Sequence, residues 1–445
     1  MPEYKLIYFN AAGRAELIRW IFAYSGIPYT DERIEKADWP SRKPSIPGGK
    51  VPVLMVDGKP LPQSLAIARY VAKQADLVPQ DHLEAAYCDA LADTLYEVMT
   101  EVYKILFAPG DEDEKKKKYD EELYPNMIAP LLTRLNQRLA TREWFAADKV
   151  TWADLLIGLV VGGVREKKPE VLKEFPAVEG LVNKVVQFPK IKQWLDSRPE
   201  TPFLHDTRWR PGPRRPTSLV QPRPCVHVSP RPPSKYLTTT TTMPEYKLIY
   251  FNAAGRAELI RWIFAYSGIP YTDERIEKAD WPSRKPSIPG GKVPVLMVDG
   301  KPLPQSLAIA RYVAKQADLV PQDHLEAAYC DALADTFSEM MTSANKELFA
   351  PGNEDEKKKK YDEELYPNVI APFLTRLSQR LATREWFASD KITWADLFIG
   401  LMIGELREKK TEVLKEFPVV EGHVNKVLQL PKIKQWLDSR PKTSS

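Results

Sequence analysis

Cysteine is scarce: the chain has three, Cys88, Cys225 and Cys330. That number cannot build a disulfide framework and suits a reducing compartment, so a cytoplasmic location is expected. Long apolar runs are lacking as well. The longest, around residues 155–164, is about half of a membrane span. The opening stretch MPEYKLIYFN enters a strand pattern at once, without the parts of a signal peptide. No membrane partner is expected. Histidine is sparse, and neither His82 nor His205 has a cysteine or acid at ligand spacing; both read as exposed loop residues. Excess charge is missing too, because a net charge of +4 on 445 residues gives no reason to expect nucleic acid. What remains, 43% hydrophobic and 28% charged, is an ordinary globular composition with room for several cores.

What the chain has in abundance is repetition. Residues 1–94 and 243–336 are identical. From Leu95 and Phe337 onward the two copies still align without gaps, offset by 242, but differ at about two dozen positions. A repeat of this length holds complete domains and is not a solenoid unit. Between the copies, residues 204–242 carry eight prolines, six arginines and no apolar period, so this linker should be disordered or polyproline-like. It suits a ligand for a proline-recognising domain, a passive tether, or translated non-coding sequence between two neighbouring genes, since Met243 restarts the unit at its own first residue. Composition does not choose among these, and Cys225, which lies there, implies no chemistry.

Within one copy, YKLIYF alternates as a strand does, and GRAELIRWIFAYSG is helical, with Gly26 as its stop. PYTDERIE reads as a second strand, and KVPVLMVDGKPLPQS as a hairpin turned at Asp57-Gly58. SLAIARYVAKQ reads as a helix capped by Ser64. The first 80 residues thus run β-α-β-loop-β-β-α, and everything from Leu83 onward reads helical. TWAD at 151–154 is a capping box, with Val150 and Leu155 placed as its staple. The run DEDEKKKKYDEE is charge-balanced and reads as a solvated helix face. Cys88 and Cys330 fall on helical runs and read as small apolar packing residues.

Five separated features occur in order: Tyr8 at a strand end, Arg14 opening a helix, Trp39, KVPVL, and the pair Gln63-Ser64. Together they resemble the sigma class of glutathione transferases, which includes the haematopoietic prostaglandin D synthases and the S-crystallins. The resemblance covers 1–199 and 243–441. It implies an α/β plus all-α class, with a thioredoxin-like domain followed by a helical one, the pair present twice. The expected borders are 1–80 and 81–203 for the first copy, 204–242 for the linker, and 243–322 and 323–445 for the second.

The resemblance also implies roles. Tyr8 and Tyr250 would hold the glutathione sulfur as thiolate, assisted by Arg14 and Arg256. The energetics are reasonable. A thiol of pKa ~8.5 is only roughly 3% ionised at pH 7, and lowering that by two units needs about 2.7 kcal/mol. One hydrogen bond to a charged group contributes about 1.5–3 kcal/mol. The strand alone would equally allow Tyr8 to be an aromatic packed on the first helix, which is how Tyr4 is read. Arg14, a cation in a helix's first turn, opposes the helix dipole and is easier to understand facing an anion; a surface salt bridge to Glu16 would contribute little. Val51-Pro52, read as lying within a strand, is expected to be cis as in family members, with the Val51 backbone pairing to the cysteinyl unit. Gln63 and Ser64 open a helix whose free N–H groups suit the γ-glutamyl carboxylate. Trp39 and Lys43, in a polar loop, would bind the glycyl end, although surface packing also suits an exposed tryptophan. Gly49 and Lys50 complete the implied cradle. Its counterparts in the second copy are Trp281, Lys285, Gly291, Lys292, Val293, Gln305 and Ser306.

Glutathione is thus the expected co-substrate, with a hydrophobic electrophile and no required metal, in conjugation chemistry of the detoxification type. Family sites also borrow an acid from a partner, and Asp93 and Glu97 stand at the matching positions. The prostaglandin synthases carry a cation-binding acidic cluster there. This chain has Tyr96 and Glu97 in place of two of its aspartates, and Lys104 and Lys346 where those enzymes place a tryptophan. Prostaglandin D synthesis and a crystallin-like structural role remain the rival readings, the latter opposed by the presence of Tyr8, Arg14, Gln63 and Ser64. The copies differ most on the helix expected to line the electrophile pocket, at Tyr96/Ser338, Glu101/Ser343, Val102/Ala344, Tyr103/Asn345 and Ile105/Glu347. Leu156/Phe398, Val160/Met402, Gly163/Glu405 and Val164/Leu406 form a second group. Two electrophile pockets on one kind of glutathione site would explain this, and so would drift after duplication. A 39-residue tether spans roughly 35 Å, about the width of one such unit, roughly 30–35 Å. An intramolecular pseudo-dimer is therefore reachable, with a homodimer as the alternative.

Overall fold

The computed structural model describes residues 1–106, 111–167, 169–199, 243–348 and 353–441. The expected linker, with His205 and Cys225, lies outside the described residues. In the first half the elements are β1 (Tyr4–Phe9), α1 (Glu16–Ser25), β2 (Thr30–Ile34), α2 (Trp39–Arg42), β3 (Val53–Val56), β4 (Lys59–Pro62) and α3 (Ser64–Gln74). They are followed by α4 (His82–Leu106), α5 (Glu112–Lys118), α6 (Ala129–Leu139), α7 (Trp152–Lys167), α8 (Pro176–Val186) and α9 (Pro189–Ser197). The second half repeats the order with β5 (Tyr246–Phe251), α10 (Glu258–Ser267), β6 (Thr272–Ile276), α11 (Trp281–Arg284), β7 (Val295–Val298), β8 (Lys301–Pro304) and α12 (Ser306–Gln316). Its helical part comprises α13 (His324–Leu348), α14 (Glu354–Lys360), α15 (Ala371–Leu381), α16 (Trp394–Lys409), α17 (Pro418–Leu428) and α18 (Pro431–Ser439).

Each half has a four-stranded mixed sheet in the order β2-β1-β3-β4, with β1 parallel to β2 and antiparallel to β3. The period-two pattern of YKLIYF divides its side chains between two faces. Tyr4, Leu6 and Tyr8 join the large core under α1 and α3. Ile7 turns to a small core on the other face with Ile34, Ile46 and Val53. The hairpin turns at Asp57-Gly58 with φ of 47° and 76°, the paired positive values that a two-residue turn of this hand requires. Helix α1 stops at Gly26, whose φ of 73° is left-handed.

Three local expectations need correction. The α3 cap position belongs to Gln63, at φ 72°, and Ser64 is the first helical residue, buried and not capping. The peptide Val51-Pro52 is cis, but it precedes the strand, which begins at Val53. Trp39 is neither in an open loop nor exposed. It starts a short helix and packs its ring on Phe9 with centroids 5.0 Å apart, against the small core. The capping box holds: the Asp154 carboxylate accepts from the Thr151 N–H and hydroxyl, both at 2.7 Å, and Asp396 does the same for Thr393. The acidic-basic run forms α5, with no buried residue.

The halves are packed on each other. Helix α4 lies against α12, and α13 against α3. Ala86 and Ala90 enter the second half's core, and Ala328 and Ala332 enter the first's, so small side chains let the helices approach. At the centre, Arg69 pairs with Asp89 at 2.7 Å, Asp93 at 2.8 Å and, across the boundary, Asp335 at 3.4 Å. Arg311 makes the mirror set with Asp331, Asp335 and Asp93. Burial pushes the Asp335 carboxyl up, while the two guanidiniums pull it back. His82 is not a loop residue. It opens α4 and meets the Gln316 amide at 2.9 Å.

Candidate active site

Strand β1, a central strand, carries Tyr8 near its C-terminal end, and the chain then turns through Gly13 at φ +43°. A Cβ at Gly13 would stand 2.6 Å from the Tyr8 hydroxyl, so only glycine lets the phenol lie against the turn. The Arg14 backbone N–H donates to Tyr8 Oη at 3.1 Å. That bond fills an oxygen lone pair and leaves the phenolic proton to be donated elsewhere, which is what stabilising an anion needs. Tyr250 repeats the arrangement with Gly255 and Arg256.

Around this phenol the predicted residues converge. Gln63, at its positive φ, directs its amide across the boundary to Thr336 Oγ1 at 3.0 Å and to Glu339 at 3.3 Å. Glu339 also meets Lys50 at 3.3 Å and Arg14 at 3.6 Å. These cations, led by Lys50, and the Gln63 amide hold the Glu339 carboxyl below the usual range against the opposing effect of burial. No side chain caps the α3 N-terminus, so its first N–H groups face the same space. Lys43 packs its stem near Gly49.

In the second half, a cleft of about 540 Å³ is walled by Arg256, Trp281, Lys285, Gly291, Lys292, Val293, Gln305 and Ser306. Every candidate of that half except Tyr250 lines it. The opposite wall comes from the first half, with Thr94 and Glu97 among its residues. Gln305 donates to Thr94 at 3.0 Å, and Lys292 pairs with Glu97 at 3.6 Å. Both acids reach across the boundary, but only Glu97 lines the cleft. Asp93 is held by Arg69 and Arg311 instead. Thr94 and Thr336 were not singled out from sequence; one turn before residues 97 and 339 on the same face was the available signal. Arg69, a charge inside the apolar run SLAIARYVAKQ, was the unread sign of a buried ionic boundary. Among the described residues no group of three His, Cys, Asp or Glu could hold a metal ion. Lys104 turns outward to Glu101 at 2.5 Å.

The cleft thus lies between the sheet domain of one half and a helix of the other. The model of the glutathione S-transferase N-terminal domain matches residues 4–73 and 246–315. That of the C-terminal domain matches 96–198 and 339–440. The chain is 44% identical to the hematopoietic prostaglandin D synthase of Mus musculus over 201 residues, 45% of this chain and 99% of that protein. It is 36% identical over 215 residues to the probable glutathione S-transferase 6 of Caenorhabditis elegans, 46% of this chain and all of that protein. It is 30% identical over 217 residues to S-crystallin 4 of Enteroctopus dofleini, again 46% of this chain and all of that one. The chain therefore belongs to the glutathione S-transferase family, of which it carries two complete copies.

Proposed function

We propose that this glutathione transferase works through two sites, each adding the thiolate of glutathione to a hydrophobic electrophile. The observation that carries the reading is the pairing of Tyr8 Oη with the Arg14 N–H, repeated at Tyr250, beside a cradle of the right polarity. In this reading the phenolic O–H donates to the sulfur, and the Arg14 and Arg256 side chains add positive field. Gln63, Ser64 and the α3 N-terminus receive the γ-glutamyl carboxylate. Val51 pairs with the cysteinyl backbone, and Trp39, Lys43, Gly49 and Lys50 close around the glycyl end. The second copy's counterparts act alike. Glu339 serves the Tyr8 site and Glu97 the Tyr250 site, which is what the cross-boundary contacts of both glutamates support. Domain borders at 80/81 and 322/323 fall between α3 and α4 and between α12 and α13.

Tyr8→Phe together with Tyr250→Phe tests it. Conjugation to an aryl halide should fall about 10- to 100-fold, the loss expected for one hydrogen bond to a charged group. The pH at which bound glutathione ionises should rise, with its affinity changed only a few-fold. Unchanged turnover and titration would reject the assignment.

A second reading, glutathione-dependent prostaglandin D synthesis, is favoured by the 44% identity to the mouse enzyme. Product analysis with the endoperoxide substrate decides it. For assembly, the contacts of α4 with α12 and α13 with α3 support a monomeric chain that acts as a pseudo-dimer. Light scattering across a hundredfold dilution should give one chain's mass throughout, and a concentration-dependent doubling would favour the homodimer. A cytoplasmic location is supported by the free thiols of Cys88 and Cys330. Among the described residues no helix is long and apolar enough to cross a membrane.

A further inference from the structure

The glutathione cradles of the two halves are identical in sequence, so any chemical difference between the sites comes from the helical domains. On α4, Tyr96 and Tyr103 are seven residues apart and share one face, two turns from each other. The Arg14 guanidinium lies over the Tyr96 ring, 5.4 Å from its centroid. Arg14 in turn holds the Tyr8 hydroxyl through its backbone, so Tyr96 neighbours the reacting phenol through Arg14 and lies within its electrostatic reach. Tyr103 extends the same wall and lies within the electrostatic reach of both Tyr8 and Arg14. Both rings are half-buried. Burial pushes both phenols up, so each keeps its proton at neutral pH and can donate it. The second half has Ser338 and Asn345 at these positions. Three nearby positions gain aromatic rings instead: Leu95, Leu131 and Leu156 become Phe337, Phe373 and Phe398. Phe337 packs edge-on to Phe373 at 5.6 Å and to Phe398 at 5.4 Å.

We propose that Tyr96 and Tyr103 make the first site selective for electrophiles activated by an oxygen, such as enals and enones, and that the second site lacks this selectivity. The inference rests on the reading that Tyr8 and Tyr250 hold the thiolates. In the addition, the thiolate sulfur bonds to the β-carbon and the C=C pair shifts to leave an enolate oxygen. A phenolic O–H aimed at that oxygen binds it more strongly as charge develops. The α-carbon then takes a proton from solvent, equivalent to the one the thiol released, and the product is a thioether with no atom lost. Displacement of a benzylic halide forms the same C–S bond, but the halide leaves with its electron pair and no oxygen anion forms. It gains nothing from the phenols.

The test uses the full-length chain with one site at a time weakened. In Tyr250→Phe the first site dominates, and in Tyr8→Phe the second. The readout is the kcat/KM for a medium-chain 2-enal divided by that for benzyl chloride, a ratio that cancels effects on folding and on the thiolate. The ratio should be about tenfold higher in Tyr250→Phe than in Tyr8→Phe, the scale of one net hydrogen bond. Adding Tyr96→Phe and Tyr103→Phe to Tyr250→Phe should remove that advantage. Adding Ser338→Tyr and Asn345→Tyr to Tyr8→Phe should confer part of it. Equal ratios in the two single variants, or a proportionate loss on both substrates when the phenols are removed, would overturn the inference and leave the thiolate assignment standing. If neither Tyr8→Phe nor Tyr250→Phe slowed the benzylic reaction, both would fall together.

Discussion

The two halves have the same first 94 residues and different helical domains, and the structure separates what each part controls. Where the sequences agree, so do the contacts: Arg14 and Arg256 hold the two phenols at the same 3.1 Å, and Arg69 and Arg311 make mirror-image ion sets. Where they differ, the second half has looser polar bookkeeping. In the first, Asn136 Oδ1 accepts from the Ala177 N–H at 2.9 Å and so supports the start of α8. In the second, Ser378 stands there with a buried hydroxyl that has no partner among the described residues. Leu181, a buried residue of α8 itself, becomes His423 on α17, still only 4% exposed. The lesson is that the boundary and the contacts of the two phenols are shared, while the packing of the helical domains is free to diverge.

The most severe test of the shared part is the ionic boundary. Arg69→Met leaves the half-buried Asp89 and Asp93 without their own half's guanidinium, and should destabilise the chain by about 3 kcal/mol, the lower end of the cost of breaking a buried pair. Arg311→Met should cost the same, and urea midpoints for the two variants that differ clearly would break the symmetry.

His423 comes next. Its ring packs on Phe387 at 4.5 Å, and its Nε2 is 3.5 Å from Asp396 Oδ1. Burial, with Lys426 adding to it, pushes its pKa down to about 4. The folded protein therefore keeps the ring neutral while the unfolded chain takes up a proton near the ordinary value of about 6.5. Stability from this group is present above that value and is lost as pH falls from about 6.5 to about 4, by up to about 3 kcal/mol. His423→Leu should abolish that loss, and Leu181→His should create it in the first half. Thermal melts of the three proteins between pH 7.5 and 4.5 measure it, and an unaltered pH profile in His423→Leu would reject the assignment.

The mildest effect concerns the borrowed acids. Glu339→Gln should raise the KM for glutathione a few-fold at the Tyr8 site, and Glu97→Gln at the Tyr250 site, each read in the background where the other phenol is phenylalanine. An effect confined to the same half as the substitution would contradict the crossed arrangement.

Much of this was legible in the sequence because it is local. Alternation in YKLIYF, the Asp57-Gly58 turn, the Gly26 stop and the TWAD box are each decided within a few residues. The meeting of Arg14 and Gln63 at the boundary was legible in part, since a cation in a helix's first turn and a polar pair at a helix start both suggest a neighbouring anion, and both residues meet Glu339. What escaped were matters of three-dimensional neighbourhood. Trp39 was read as exposed because its polar sequence neighbours say nothing of Phe9 across the fold. Ser64 was read as a cap because its residue type favours that place, and the positive φ of Gln63 overrides the preference. Asp93 was expected to reach across to the site, and the pull of two arginines took it elsewhere; those partners lie 24 and 218 positions away.

The crossing of Glu97 and Glu339 between halves has a genetic consequence. Tyr8 and Glu339 lie 331 positions apart in the chain, and Tyr250 and Glu97 lie 153 apart. Under the proposed roles, a lesion in the second helical domain would weaken the first site's hold on glutathione. Neither copy is free to decay unobserved, because each is already in use by the other. Redundancy, the usual fate-opening condition of a duplicate, is forfeited at the interface and survives only in the pocket walls.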